Sequence, residues 1–117
     1  MAKPHCGIIS EWRDAEDKLH RDDGPAFISY YKKDVVWVKI YYQHGNKHKE
    51  DGPAEIWYWP NGQVRKKYYY QHNKKHRAGG PAVIFYYEDG SVEALAYHSH
   101  GTGHPATWYS PGQLYGI

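Results

Sequence analysis

Three histidine pairs have the spacing most suggestive of chemistry in this chain: His44 and His48, His72 and His76, His100 and His104. Two or three converging imidazoles hold Zn²⁺ or Ni²⁺ well, and His98 or Asp51 would be a further ligand. In a helix the four-residue step would put both rings on one face. Here the first histidine of each pair falls at a strand end and the second opens a turn. A pair that returns in every unit serves architecture more readily than a site. Each imidazole is therefore expected to fasten its turn, through a backbone carbonyl or through Asp23 or Asp51, with no metal and no other cofactor bound.

Catalytic groupings are weaker still. Cys6 stands beside His5 but lacks a third orienting group, and residues 1–7 are expected to form a loose terminus. Ser10, Ser29, Ser91, Ser99 and Ser110 have no motif around them, and there is no phosphate-cradling glycine loop. Glu50 and Glu55 fall within one unit, whereas acid–base hydrolysis of a glycoside needs two carboxylates across a cleft. No catalytic residue is assigned, and the chain is expected not to be an enzyme.

Aromatic and cationic side chains are more informative. Tyr 13, Trp 5 and Phe 2 make up 17% of the chain. Lys and Arg interleave with them between Lys32 and Arg77. Strand alternation groups Trp37, Lys39 and Tyr41 on one face, and likewise Arg65, Lys67 and Tyr69. Exposed Trp and Tyr on a rigid sheet are typical contact anchors. Trp37, Tyr41, Trp57, Trp59, Tyr69, Phe85, Tyr87 and Trp108 are the candidate binding residues. The same mixture would suit single-stranded nucleic acid, although a formal charge of only +2 is small for a nucleic-acid binder.

The elements that position these residues repeat. His20-Arg21-Asp22-Asp23-Gly24-Pro25-Ala26 returns as His48-Lys49-Glu50-Asp51-Gly52-Pro53-Ala54 and as His76-Arg77-Ala78-Gly79-Gly80-Pro81-Ala82, each time 28 residues later. The first two units are identical at 14 of 28 positions. The boundaries read as 1–19, an N-terminal segment with a partial repeat; 20–47, 48–75 and 76–103, the three repeats; and 104–117, a truncated capping repeat, all in one domain. Each unit reads as two short strands around a turn. Pro60-Asn61-Gly62 and Glu88-Asp89-Gly90 are strong turns, and Lys32-Lys33-Asp34 is a poorer one. Gly52 is expected in a backbone conformation closed to other residues. The fold class is all-β: a single-layer antiparallel meander of tandem 28-residue β-hairpin repeats. The face of Ala54, Ile56, Tyr58 and Val64 repeats most faithfully and is assigned to the interior. The face of Trp57 and Trp59 varies between units and is assigned to binding. A sheet partly buried on both faces is the rival arrangement.

The succession of His-Arg/Lys-x-x-Gly-Pro-Ala, aromatic strand, glycine turn and return strand resembles the variant form of the MORN repeat, from Leu19 to about Gln113. Gly24-Pro25-Ala26, Gly52-Pro53-Ala54 and Gly80-Pro81-Ala82 are the clearest matches. The resemblance implies extended sheets of successive hairpins, no shared enzyme activity, and a bacterial or phage setting.

Together these readings predict a non-catalytic protein-binding module. The family's company suggests a phage or mobile-element inhibitor of a host protein. The alternatives are a single-stranded nucleic-acid binding protein or a structural homo-oligomer, such as a homodimer. The expected partner is another protein, with nucleic acid disfavoured and no membrane. One cysteine, no apolar run of membrane-spanning length and no apolar leader predict a cytoplasmic location.

Overall fold

The computed structural model describes residues 8–99, 101–103 and 107–108. His5, Cys6, His100, His104 and most of the 104–117 segment lie outside the described residues. The fold is all-β with antiparallel sheets. Strand β1 (Ile9–Glu11) pairs with β2 (Phe27–Lys32), and β2 turns back as β3 (Val35–Ile40). A ribbon of β4 (Tyr42–Gln43) and β5 (Asn46–Lys47) follows. The hairpin of β6 (Glu55–Tyr58) and β7 (Val64–Tyr68) then leads to the ribbon of β8 (Tyr70–Gln71) and β9 (Lys74–Lys75). The hairpin of β10 (Val83–Tyr86) and β11 (Val92–Ala96) is followed by β12 (His98–Ser99), β13 (Thr102–Gly103) and β14 (Thr107–Trp108). Among the described residues the main sheet has 8 strands in the order β1-β2-β3-β6-β7-β10-β11-β14, which is chain order with the ribbons set aside.

Turn chemistry explains the hairpins. Gly62 and Gly90 sit at φ 90 and 92 after Asn61 and Asp89, a conformation that glycine adopts without a Cβ clash. The first hairpin closes through Lys33-Asp34, with Lys32 opposite Val35 and Asp34 itself at φ 62. Gly52 behaves differently from the expectation. Its φ is not positive; instead a Cβ there would lie 3.2 Å from Lys49 Nζ. At Gly24 and Gly80 a Cβ would meet the guanidinium carbons of Arg21 and Arg77 at 3.0 and 2.9 Å. These glycines leave room for a cationic side chain folding back over the turn.

Register sorts the side chains onto two faces. Phe27, Ile40, Glu55, Tyr68, Val83 and Ala96 are successive cross-strand neighbours, and Ser29, Val38, Trp57, Lys66, Phe85 and Ala94 form the next row. Ile28, Lys39, Ile56, Lys67, Ile84 and Leu95 lie on the opposite face. Ala26, Ala54 and Ala82 are fully buried, with N–H groups donating to Ile40, Tyr68 and Ala96.

The interior is not confined to the Ile56 face. Ile56, Tyr58 and Val64 are only half-buried, while Val38, Glu55 and Val83 on the Trp57 face are buried. Side chains from the ribbons account for part of this: Lys47 reaches Glu55, and Lys75 lies over Tyr68. A compact apolar cluster of Ile84, Val92 and Leu95, packed by Tyr69 and Tyr86, occupies the Ile56 face at the last hairpin.

Candidate binding face

The Trp57 face is built by a bulge in each hairpin. Val38 opposes Ser29 but Val36 opposes Tyr30, so Trp37 is the extra residue. In the same way Arg65 is extra between Lys66 and Val64, and Glu93 between Ala94 and Val92. A bulge suspends alternation for one residue. Trp37 therefore joins Trp57, its ring 5.1 Å away and nearly perpendicular, rather than Lys39. Arg65 joins Lys66, with its guanidinium 4.5 Å from the Trp59 ring centroid. The groupings expected from strict alternation, Trp37 with Lys39 and Tyr41 and Arg65 with Lys67 and Tyr69, are corrected accordingly.

The candidate residues thus divide. Trp37, Trp57 and Phe85 belong to one face, Trp59 meets Arg65 of that face, and Tyr87 follows β10 in the turn, where its N–H donates to the Ser91 carbonyl. Tyr41 and Tyr69 belong to the other, where Lys49 and Arg77 lie over their rings at 4.4 and 4.0 Å. Trp108 stands opposite Ala94 in register, and its side chain lies outside the described residues.

The aromatic face carries its own cations. Lys66 Nζ lies 5.7 Å from the Trp57 ring centroid and 5.4 Å from that of Phe85. Each cation occupies a ring face that a flat ligand would need for stacking. Lys66 has no carboxylate at ion-pair distance among the described residues. Burial lowers its pKa, and the neighbouring Arg65 charge adds to this against the weaker pull of Glu55 and Glu93. Lys47 shows the opposite balance. Burial alone would lower its pKa, but the hydrogen bond and charge of Glu55 outweigh it, and the ammonium is held above the ordinary lysine range. Glu55 is buried, accepts from Lys47 at 2.8 Å and also accepts from the Trp57 indole. Tyr31 donates to the Tyr58 carbonyl at 2.9 Å. Burial raises the pKa of its phenol, and Arg65 partly offsets that rise. The indole N–H groups of Trp37 and Trp59 are buried without an acceptor among the described residues.

Histidines serve the turns, in pairs other than those four apart. His20 Nδ1 accepts from the backbone N–H of His44, and His48 Nδ1 accepts from that of His72, both at 3.0 Å. Their Nε2 atoms face Asp22 and Glu50 at 3.0 Å. An Nδ1 that accepts must be unprotonated, so the proton sits on Nε2 and is donated to the carboxylate. The rings are also in contact, His20 stacked on His44 at 4.1 Å and His48 tilted against His72 at 4.6 Å. His44 and His72 take left-handed backbone conformations, φ 48 and 50. A separate group, Asp14, Glu16 and His44, places one potential metal-ligand atom each within 4.8 Å. Asp14 is already engaged there: it faces His44 Nδ1 at 2.7 Å and accepts from the N–H groups of Glu16 and Lys18.

Comparison with known proteins gives no match: no family model, no curated protein and no solved structure matches the chain.

Strand alternation already places Tyr31 and Glu55 on this face, but sequence reasoning missed Lys66 and the reach of Lys47 to Glu55. One signal was present. Val35-Val36-Trp37-Val38 is an unbroken apolar run where a half-exposed strand should alternate. The reach of Lys47 to Glu55 depends on how a ribbon folds over the sheet, which no local pattern encodes.

Proposed function

We propose that this chain is a non-catalytic binding module whose partner is another protein, engaged through the Trp57 face and presenting carboxylates to Lys66 and Arg65. The observation that carries this reading is Lys66, a half-buried ammonium between two aromatic rings with no carboxylate at ion-pair distance among the described residues. A carboxylate from a partner would meet a charge already stripped of much of its water, where electrostatic attraction is strongest. Beside it two buried indole donors, those of Trp37 and Trp59, lack acceptors among the described residues. Ring faces already covered by Lys and Arg disfavour base stacking, and so disfavour single-stranded nucleic acid. In this reading the hairpins are tandem 28-residue units of the MORN-variant kind in a single layer, with rigidity as their contribution. A host protein inhibited by a phage or mobile-element product is the setting the resemblance suggests.

A second reading, self-association, is favoured by one observation. Ile8, Ile9 and Trp12, three large exposed apolar residues, cluster at the edge strand β1. Light scattering over a concentration series separates the two readings, because a stable dimer that captures nothing else supports the second.

The test of the first reading is capture from nuclease-treated host lysate by the wild type, by Lys66→Glu with Arg65→Glu, and by Trp57→Ala with Trp59→Ala. One stoichiometric protein, lost in the charge-reversed variant while its melting curve stays cooperative, is the expected result. Capture that survives charge reversal, or that disappears with nuclease, overturns the reading.

A further inference from the structure

A different part of the molecule repeats a cavity. Along the row of turns, one cavity of about 730 Å³ is followed by a second of about 360 Å³. Every residue lining the second stands 28 positions after a residue lining the first. The acidic pair Asp22 and Asp23 is replaced by Glu50 and Asp51. The strand residues Tyr41 and Gln43 are replaced by Tyr69 and Gln71, and His48 by His76. Lys49, Glu50 and Asp51 line both cavities, so the two share a wall.

The groups inside have mixed character. In the larger cavity Arg21 and Lys49 stand among Asp22, Asp23, Glu50 and Asp51, with amides from Gln43 and Asn46. In the smaller one Lys49 and Arg77 balance Glu50 and Asp51. A ligand charged with one sign would meet its own sign in either cavity. A hydroxyl donates one hydrogen bond and accepts others, so a neutral ligand dense in hydroxyls is satisfied by such walls. Equivalent cavities two strands apart are separated by roughly 10 Å. A linear ligand repeating its polar groups over that distance would fill both.

We propose that the two cavities are consecutive subsites for a neutral linear oligosaccharide, with Lys49, Glu50 and Asp51 gripping it between them. Asp51 is the informative position. It is exposed and has no side-chain partner among the described residues, so its removal leaves the fold intact. The site is independent of the Trp57 face and does not rest on the protein-binding reading.

The experiment is titration calorimetry with the full chain, using the tetrasaccharides and disaccharides of cellulose, chitin, xylan and starch, and with tetralysine and a sulfated tetrasaccharide as charged probes. At least one neutral tetrasaccharide should bind about tenfold or more tightly than its disaccharide, because the second subsite is engaged within the same molecule. Asp51→Ala should weaken that binding at least about tenfold at an unchanged melting temperature, and Glu50→Gln, which still accepts from His48, gives a second reading. Trp57→Ala with Trp59→Ala should leave it unchanged. No heat from any neutral tetrasaccharide at millimolar concentration, equal affinity for the two lengths, indifference to Asp51→Ala, or preference for a charged probe each overturns the proposal.

Discussion

Single side chains on the Trp57 face set up opposite stability effects. Lys66 is a cation whose burial no ion pair among the described residues compensates, and Lys47 is one whose burial Glu55 compensates. Lys66→Met keeps the aliphatic contact with Trp57 and Phe85 and removes the charge, so it should raise stability by on the order of 1 kcal/mol, a few degrees in melting temperature. Glu55→Ala should cost about 2 kcal/mol or more, because it leaves Lys47 half-buried without its carboxylate and the Trp57 indole without its acceptor. Thermal denaturation of the two variants measures both. Asp14 gives a pH dependence. The hydrogen bond from His44 holds its pKa below the ordinary carboxylate value, helped by the Lys18 and Glu16 amides and opposed by desolvation. Its contribution is complete above the unfolded carboxylate pKa and is lost as pH falls through the lower folded value. Asp14→Asn should therefore flatten the acid limb of the stability curve below the usual carboxylate range, as followed by urea melts across pH.

Turns and bulges decide which side chains meet. Asn61-Gly62 and Asp89-Gly90 were legible as turns because a glycine after Asn or Asp between two strands has a specific backbone use. Lys33-Asp34 was legible as the weaker loop, and Asp34 does take a left-handed conformation. Asp34→Gly should relieve that cost and stabilise the first hairpin by roughly 0.5 kcal/mol, net of glycine's greater entropy loss, which equilibrium unfolding can resolve against Gly62→Ala as the destabilising counterpart. The all-β class and antiparallel pairing followed from aromatic strands of the right length. The bulges at Trp37, Arg65 and Glu93 did not, because a one-residue irregularity is fixed by the neighbouring strand as much as by its own sequence. Gly52 was misread for a related reason. A glycine that makes room for Lys49 looks, in sequence, the same as one that needs positive φ. Which aromatic residues share a face was partly legible: Trp37, Trp57 and Phe85 do, and Trp59 meets Arg65 beside them, whereas Tyr41 and Tyr69 lie on the other face.

At the scale of the molecule, apolar burial is uneven. Ile84, Val92 and Leu95 form the described cluster, and Val83, Ala94 and Ala96 are buried beside it, whereas β1 carries exposed Ile9. Local openings should follow that gradient. Native-state hydrogen exchange should find the slowest amides in β10 and β11 and progressively faster exchange toward β1, and uniform protection across the sheet would contradict this. The gradient also implies that a variant lacking β1 keeps the rest of the sheet, while loss of β10 unfolds it.

The near-perpendicular contact of Trp37 and Trp57 has an optical consequence. Two indoles this close share their electronic transitions, so their ultraviolet bands split into a pair of circular dichroism signals of opposite sign superimposed on the sheet spectrum. Either Trp37→Phe or Trp57→Phe would abolish the couplet. Because the contact exists only while the first bulge holds Trp37 against the neighbouring hairpin, the signal gives a label-free readout of whether the first two hairpins remain docked.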